Sequence, residues 1–369
     1  MTQKLKTIPL IGYSDRLSVR PEETISFKVS SENSASYTAS LFRSYSSDPN
    51  PKGVGIFEES AEKFFPTQSF KSRKQNHYPG SYAISKDQIL LPINTSFRLS
   101  INFFNTLSKN NVQTLVYINN LKLFISKESK ITCEFSDVIL TISKTIKIKN
   151  WYHLELGFNA QKNQVFLKLT NIQNDLLEEE VVSSCDPRHL EPISGKLLLA
   201  ASKENNSVQD YFNGKLENPK ILINNDNTFD IFADWNFSEN IPSTNIKDFS
   251  SNQNDLKIVN FPTRGVTGSN WDGSEMSWKH NPNHYGAIHF HEDDIYDFKW
   301  ENDFSFNVPK NMPSGIYVMR LKCDKNEDNI PFFICPPKNK ITARLCVIIP
   351  TFTYVVYGNH ARPDYKKSW

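Results

Sequence analysis

Four of the eight histidines in this 369-residue chain fall between Pro262 and Trp300, with three of the six tryptophans, so this stretch is the first place to look for chemistry. His280, His284, His289 and His291 stand beside an acidic triplet, Glu292, Asp293 and Asp294. Imidazoles and carboxylates at such spacing can hold a transition metal. His289 and His291 are two apart and share a face if they lie on a strand. The plainer alternative is a strand at Ala287 to Phe290, its polar neighbours hydrogen-bonded in loop contacts. Trp271, Asp272, Glu275 and Trp278 suit the wall of a small-molecule pocket, a subunit contact or packing between domains. Long segments without regular period are more often contact-making loops than spacers, and a disordered linker is poor in Trp, Tyr and Phe. The stretch is therefore expected to be ordered and wedged between domains. A second set, Tyr354, Tyr357, Asn359 and His360, follows the apolar run Ala343 to Pro350. Such a run fits a strand buried on both faces of a parallel α/β sheet, and ligands bind beyond the carboxyl ends of such strands.

The elements that must position these residues are mostly strands. Hydrophobic content is 38% and aromatic content 12%, which is ample for cores and leans towards β-structure. Ile25, Phe27 and Val29 alternate with polar residues, as do Tyr37 to Phe42, Phe304 to Val308 and Ile316 to Leu321. These read as the opening and closing strands of an immunoglobulin-like sandwich, neither set large enough alone. Between them, Phe97 to Phe104, Val112 to Ile118, Leu121 to Ile125, Val138 to Ile142, Trp151 to Phe158, Val165 to Leu169 and Phe212 to Leu222 look like a laminin-G or concanavalin-like jelly roll. The expected scheme is a discontinuous sandwich of residues 1–65 and 287–340. A jelly roll at 66–260 is inserted in it, with an inter-domain segment at 261–286 and the first strand of a truncated α/β catalytic domain at 341–369. Asn171 to Ser184 fits a short helix or a charged loop, and Phe57 to Phe65 is the other place where a short helix is possible. Jelly rolls of this kind often bind sugars, so a non-catalytic carbohydrate-binding or assembly module is the alternative function.

The 42 basic and 40 acidic residues nearly cancel, which gives no reason to expect nucleic acid or an anionic membrane as partner. Lys144 to Lys149, KTIKIK, is the one dense basic patch; it reads as the solvated face of a strand with Ile146 and Ile148 inward. The N-terminal residues lack a signal-peptide core, and no run approaches a membrane helix. Five dispersed cysteines without a CxxC pair fit reduced, buried thiols, Cys346 among them, so a cytoplasmic location is expected.

Four segments carry a resemblance: IPLIGYSDRLSVRPEETISFKVSS, SDPNPKGVGI, FPTRGVTGSNWDGSEMSWKHNPNHYGAIHFHEDDIYD and ARLCVIIPTFTYVVYGNHAR. In that order the chain resembles the large (β) subunit family of N,N-dimethylformamidase. The resemblance implies an amidohydrolase that splits small N-substituted formamides into formate and amine. It implies mononuclear iron held by two tyrosines and a glutamate, a small α subunit and a homo-oligomer. It places one iron ligand at Tyr357, with Tyr354 as fallback, and the other ligands beyond Trp369. Activity of this chain alone is therefore not expected, nor firm iron binding.

Overall fold

The computed structural model describes residues 8–32, 36–48, 50, 52–91, 95–174, 176–225 and 228–357. They are almost all β, in two units: residues 1–77 with 298–369, and residues 78–297.

The first unit is the immunoglobulin-like sandwich. One sheet runs Leu10–Ser14, Thr24–Ser31, Phe304–Asn307; the other runs Ser18–Val19, Asn326–Ile334, Gly315–Cys323, Tyr37–Ser47, Ile56–Ser60, with Gln68–Phe70 also paired to Tyr37–Ser47. Early and late strands interleave in both sheets, Phe304 opposite Phe27 in one and Val318 opposite Phe42 in the other. Ile25, Phe27 and Val29 point into one core, as their alternation requires, where they meet Tyr317, Phe332 and Phe304. Tyr317 is fully buried and its hydroxyl donates to Pro313 O at 2.9 Å, the upstream tie of a tyrosine corner.

The unit extends to residue 77 rather than 65. Gln68–Phe70 is paired into its second sheet, and residues 71–77 are bonded to its first. Ser31 N donates to Arg73 O. Trp300 Nε1 donates to Asn76 O at 2.9 Å. The Asp303 carboxylate accepts from Val29 N at 2.8 Å, Arg73 Nε at 2.9 Å and Gln75 Nε2 at 3.1 Å.

The second unit is the jelly-roll sandwich, built of two antiparallel sheets over a single core. One sheet runs Val138–Thr145, Lys130–Phe135, Leu121–Ile125, Gln113–Ile118, Leu198–Leu199, Tyr82–Ser85, Leu256–Val259, Asn245–Ile246. The other runs Leu176–Ser184, Gln164–Asn171, Trp151–Asn159, Phe97–Asn105, Gly214–Asn225, Ala287–Phe290, Thr263–Val266, with Thr228–Asp234 also paired to Gly214–Asn225. Ala287–Phe290 thus belongs to this unit, and Thr263–Val266 is its edge strand, so 261–286 is part of the jelly roll's own sheet and its covering loop.

Several expectations are corrected. Leu176–Ser184 is an edge strand, not a helix: pairing along Gln164–Asn171 overrides the local pattern. Phe57 lies in the strand Ile56–Ser60, and turns follow it. Residues 341–350 form no strand. A strand needs a neighbour to satisfy its backbone, and none of the described residues pairs there. Leu345, Val347 and Ile348 are accordingly exposed, and Thr351–Tyr357 is a short helix. Cys346 is exposed, unlike the buried Cys133, Cys185 and Cys323. Ile146 is buried as expected, but Ile148 is exposed.

Candidate functional site

An extended polar arrangement lies on the outward face of the second jelly-roll sheet. Alternation decides who stands there. Leu99, Ile101 and Phe103 face the core, so Ser100, Asn102 and Phe104 face out. Register then sets His153 opposite Asn102 and Trp151 opposite Phe104 on one side. On the other side Glu217 lies opposite Asn102 and Lys215 opposite Phe104. His289 is opposite Lys215 in turn.

A strap of chain lies over this face. Ser269 donates its backbone N–H to the Glu217 carboxylate at 3.1 Å and its hydroxyl to the same group. Asn102 Nδ2 donates to Glu217 at 3.2 Å, and its Oδ1 accepts from His153 Nδ1 at 2.8 Å. Glu217 is buried, at 2% exposure, and these donors are what make burial of its charge tolerable. Lys215 Nζ donates to Thr267 Oγ1 at 2.7 Å and Thr267 O at 3.0 Å, and lies 5.3 Å from the centre of the Phe104 ring. Burial lowers both the Lys215 ammonium and the His153 imidazole from their usual pKa ranges. Gly268 is required by proximity: a Cβ there would stand 2.0 Å from Glu217 Oε1. The carboxylate cannot swing aside without losing Ser269.

Beyond the strap, residues 271–285 form a knot around Glu275. Its side chain accepts from Met276 N and Ser277 N, both at 2.8 Å, and contacts His280 Nδ1 at 3.2 Å. Its carbonyl accepts from Trp271 Nε1 at 3.0 Å and Tyr285 OH at 2.8 Å. Trp278 packs on Gly265. Trp271 is 38% exposed, and Asp272 accepts from Ser274 N while standing 3.7 Å from His284.

The sequence-derived residues are therefore not one site. Trp271 and Asp272 are in the knot. His289 and His291 lie at the end of Ala287–Phe290, ring centres 4.0 Å apart. Tyr354 is on the short helix of the first unit, its ring 6.1 Å from that of Phe333. The side chain of Tyr357, and Asn359 and His360 entirely, lie outside the described residues. Among the described residues no three His, Cys, Asp or Glu side chains are grouped to hold a metal. No helix among them is long and apolar enough to cross a membrane. Sequence reasoning missed Asn102, His153, Lys215 and Glu217. The available signal was the alternation of Lys215-Leu216-Glu217 with Phe212 and Leu216 inward, which marks two charges facing out beside each other.

Residues 263–369 match the family described as "N,N-dimethylformamidase beta subunit-like, C-terminal". Over 96% of its length the chain is 31% identical to the N,N-dimethylformamidase beta subunit of Paracoccus aminophilus and 29% identical to that of an Alcaligenes species. It spans about half the length of these curated relatives, 53% in each case. Among solved structures, the CBM40 module of Ruminococcus gnavus IT-sialidase aligns with 37% of this chain and 90% of its own, at 12% identity and a TM-score of 0.29.

Proposed function

From its kinship along nearly all its length with N,N-dimethylformamidase beta subunits, we infer that this chain is the N-terminal, β-rich part of an amidohydrolase large subunit. The reaction is hydrolysis of small N-substituted formamides to formate and amine. The single observation carrying this is the alignment over 96% of the chain, which takes in both units and the segment that folds into the strap and knot. Within that role the two sandwiches act as scaffold, and the residues that perform the hydrolysis belong to the other half of the large subunit. An iron centre would supply Lewis-acid polarisation of the amide carbonyl or of water. Among the described residues no three His, Cys, Asp or Glu are grouped to hold a metal, and the side chain of Tyr357, the iron ligand that the resemblance implies, lies outside them. Tyr354, the fallback ligand, has the Phe333 ring as its neighbour. The proposed partners are a small α subunit and further copies of the large subunit, in the cytoplasm.

The test joins this chain to the C-terminal half of the Paracoccus aminophilus beta subunit, co-produced with its α subunit, and follows formate release from N,N-dimethylformamide. Release by the joined protein and not by this chain alone is expected. A folded, assembled chimaera without formate release, with glycan binding by the jelly roll instead, would favour the carbohydrate-binding module.

A further inference from the structure

Independently of the hydrolase reading, we propose that His289 and His291 form a two-imidazole site for a borderline divalent metal ion such as Zn2+ or Cu2+. The hydrogen bonds around the pair fix both tautomers. The Thr106 hydroxyl donates its one proton to Asn213 O at 3.0 Å, so at 3.3 Å from His289 Nε2 it is placed to accept. His289 then carries its proton on Nε2 and has a free lone pair on Nδ1. His291 Nδ1 stands 3.2 Å from Asp294 Oδ2, an acceptor that also receives the Ser81 hydroxyl at 2.6 Å. His291 carries its proton there and keeps its lone pair on Nε2.

The two rings are held close, centres 4.0 Å apart and planes at 47°. His291 is fixed at its main chain as well: its N–H donates to Ser81 Oγ at 3.1 Å, and its carbonyl accepts from Ser81 N at 2.9 Å. A carboxylate on the far nitrogen of a histidine is what orients a metal-bound imidazole and raises its basicity, and neutral imidazole suits Zn, Cu and Ni. The Lys215 ammonium is turned to Thr267, and Glu292 is paired with Lys109. With only two protein ligands, the ion keeps water in its other positions and exchanges readily.

The test is isothermal titration of the whole chain with Zn2+, and Cu2+ titration read by electron paramagnetic resonance for nitrogen coupling. One equivalent is expected to bind. That equivalent should be lost in the His289→Ala/His291→Ala variant and weakened about tenfold or more in Asp294→Asn. It should be unchanged in His280→Ala/His284→Ala. His291→Gln, at a partly exposed ring, gives a second single-site variant should the double change disturb folding; it too must lose the equivalent. No binding by the unaltered chain, equal affinity in the His289/His291 variants, or loss in the His280/His284 variant would each overturn the proposal.

Discussion

Glu217 is the residue on which the strap depends. Its carboxylate takes Ser269 N, Ser269 Oγ and Asn102 Nδ2 at once. Glu217→Ala leaves Ser269 N and Ser269 Oγ without this acceptor and Asn102 Nδ2 with only Ser269 Oγ at 3.4 Å, and is expected to cost about 1–3 kcal/mol of stability. Hydrogen exchange should rise in residues 267–286 ahead of the rest of the unit; uniform exchange at unchanged stability would show that the strap holds without it. Gly268→Ala should act the same way, through the clash with Glu217 Oε1. His153 supplies a pH dependence. Burial lowers its pKa in the fold, so the native state favours the neutral ring. That contribution is complete above the ordinary histidine pKa of about 6.5 and is lost as pH falls through the lower folded value. The denaturation midpoint should drop on acidification below that point, and His153→Gln should flatten this part of the profile. None of these roles was legible in the residues singled out from the sequence. Histidines and tryptophans catch the eye by type, whereas Glu217 and Asn102 matter by register, which only strand pairing sets.

At the scale of elements, what was legible followed from alternation, and what was not followed from partners distant in sequence. The strand at Thr24–Ser31 could be read because Ile25, Phe27 and Val29 all face one core. Leu176–Ser184 could not: Leu-Leu-Glu-Glu-Glu has no period of two, and only its neighbour makes it a strand. Ala343 to Pro350 failed in the opposite sense. Its composition suits a strand, but no described strand pairs with it. The first unit shows how a partner 228 to 274 residues away can bind an element, since Asp303 ties Val29, Arg73 and Gln75 together with its side chain 7% exposed. The paired Asp303 carboxylate raises the pKa of Arg73. Asp303→Ala is expected to cost the first unit about 1–3 kcal/mol, because Val29 N loses its acceptor and Gln75 Nε2 one of its acceptors, while Arg73, 36% exposed, keeps Glu301. In urea denaturation the transition of the second unit should stay in place. A shift of both transitions together would mean that the two units unfold as one.

At the scale of the molecule, the second unit is continuous in sequence and has its own core, while the first is assembled from both ends of the chain. Residues 78–297 expressed alone should therefore unfold cooperatively. Residues 1–77 alone should not fold, because strands from 304–334 complete both of their sheets. A folded 1–77 fragment would contradict the interleaved pairing. The two-sandwich plan was readable from composition and alternation, and the family from long motifs; the unit boundaries at 77 and 298 were not, because they depend on hydrogen bonds made by residues 71–77 and on the strand Ala287–Phe290. In the proposed role this chain is the scaffold part of an amidohydrolase large subunit, and the catalytic groups lie elsewhere in that subunit. The most direct measurement is iron content of the purified chain together with formate release from N,N-dimethylformamide by the same sample. No stoichiometric iron and no formate are expected. Stoichiometric iron with a phenolate-to-metal absorption band and steady formate release would contradict the account, placing a complete catalytic site within these residues.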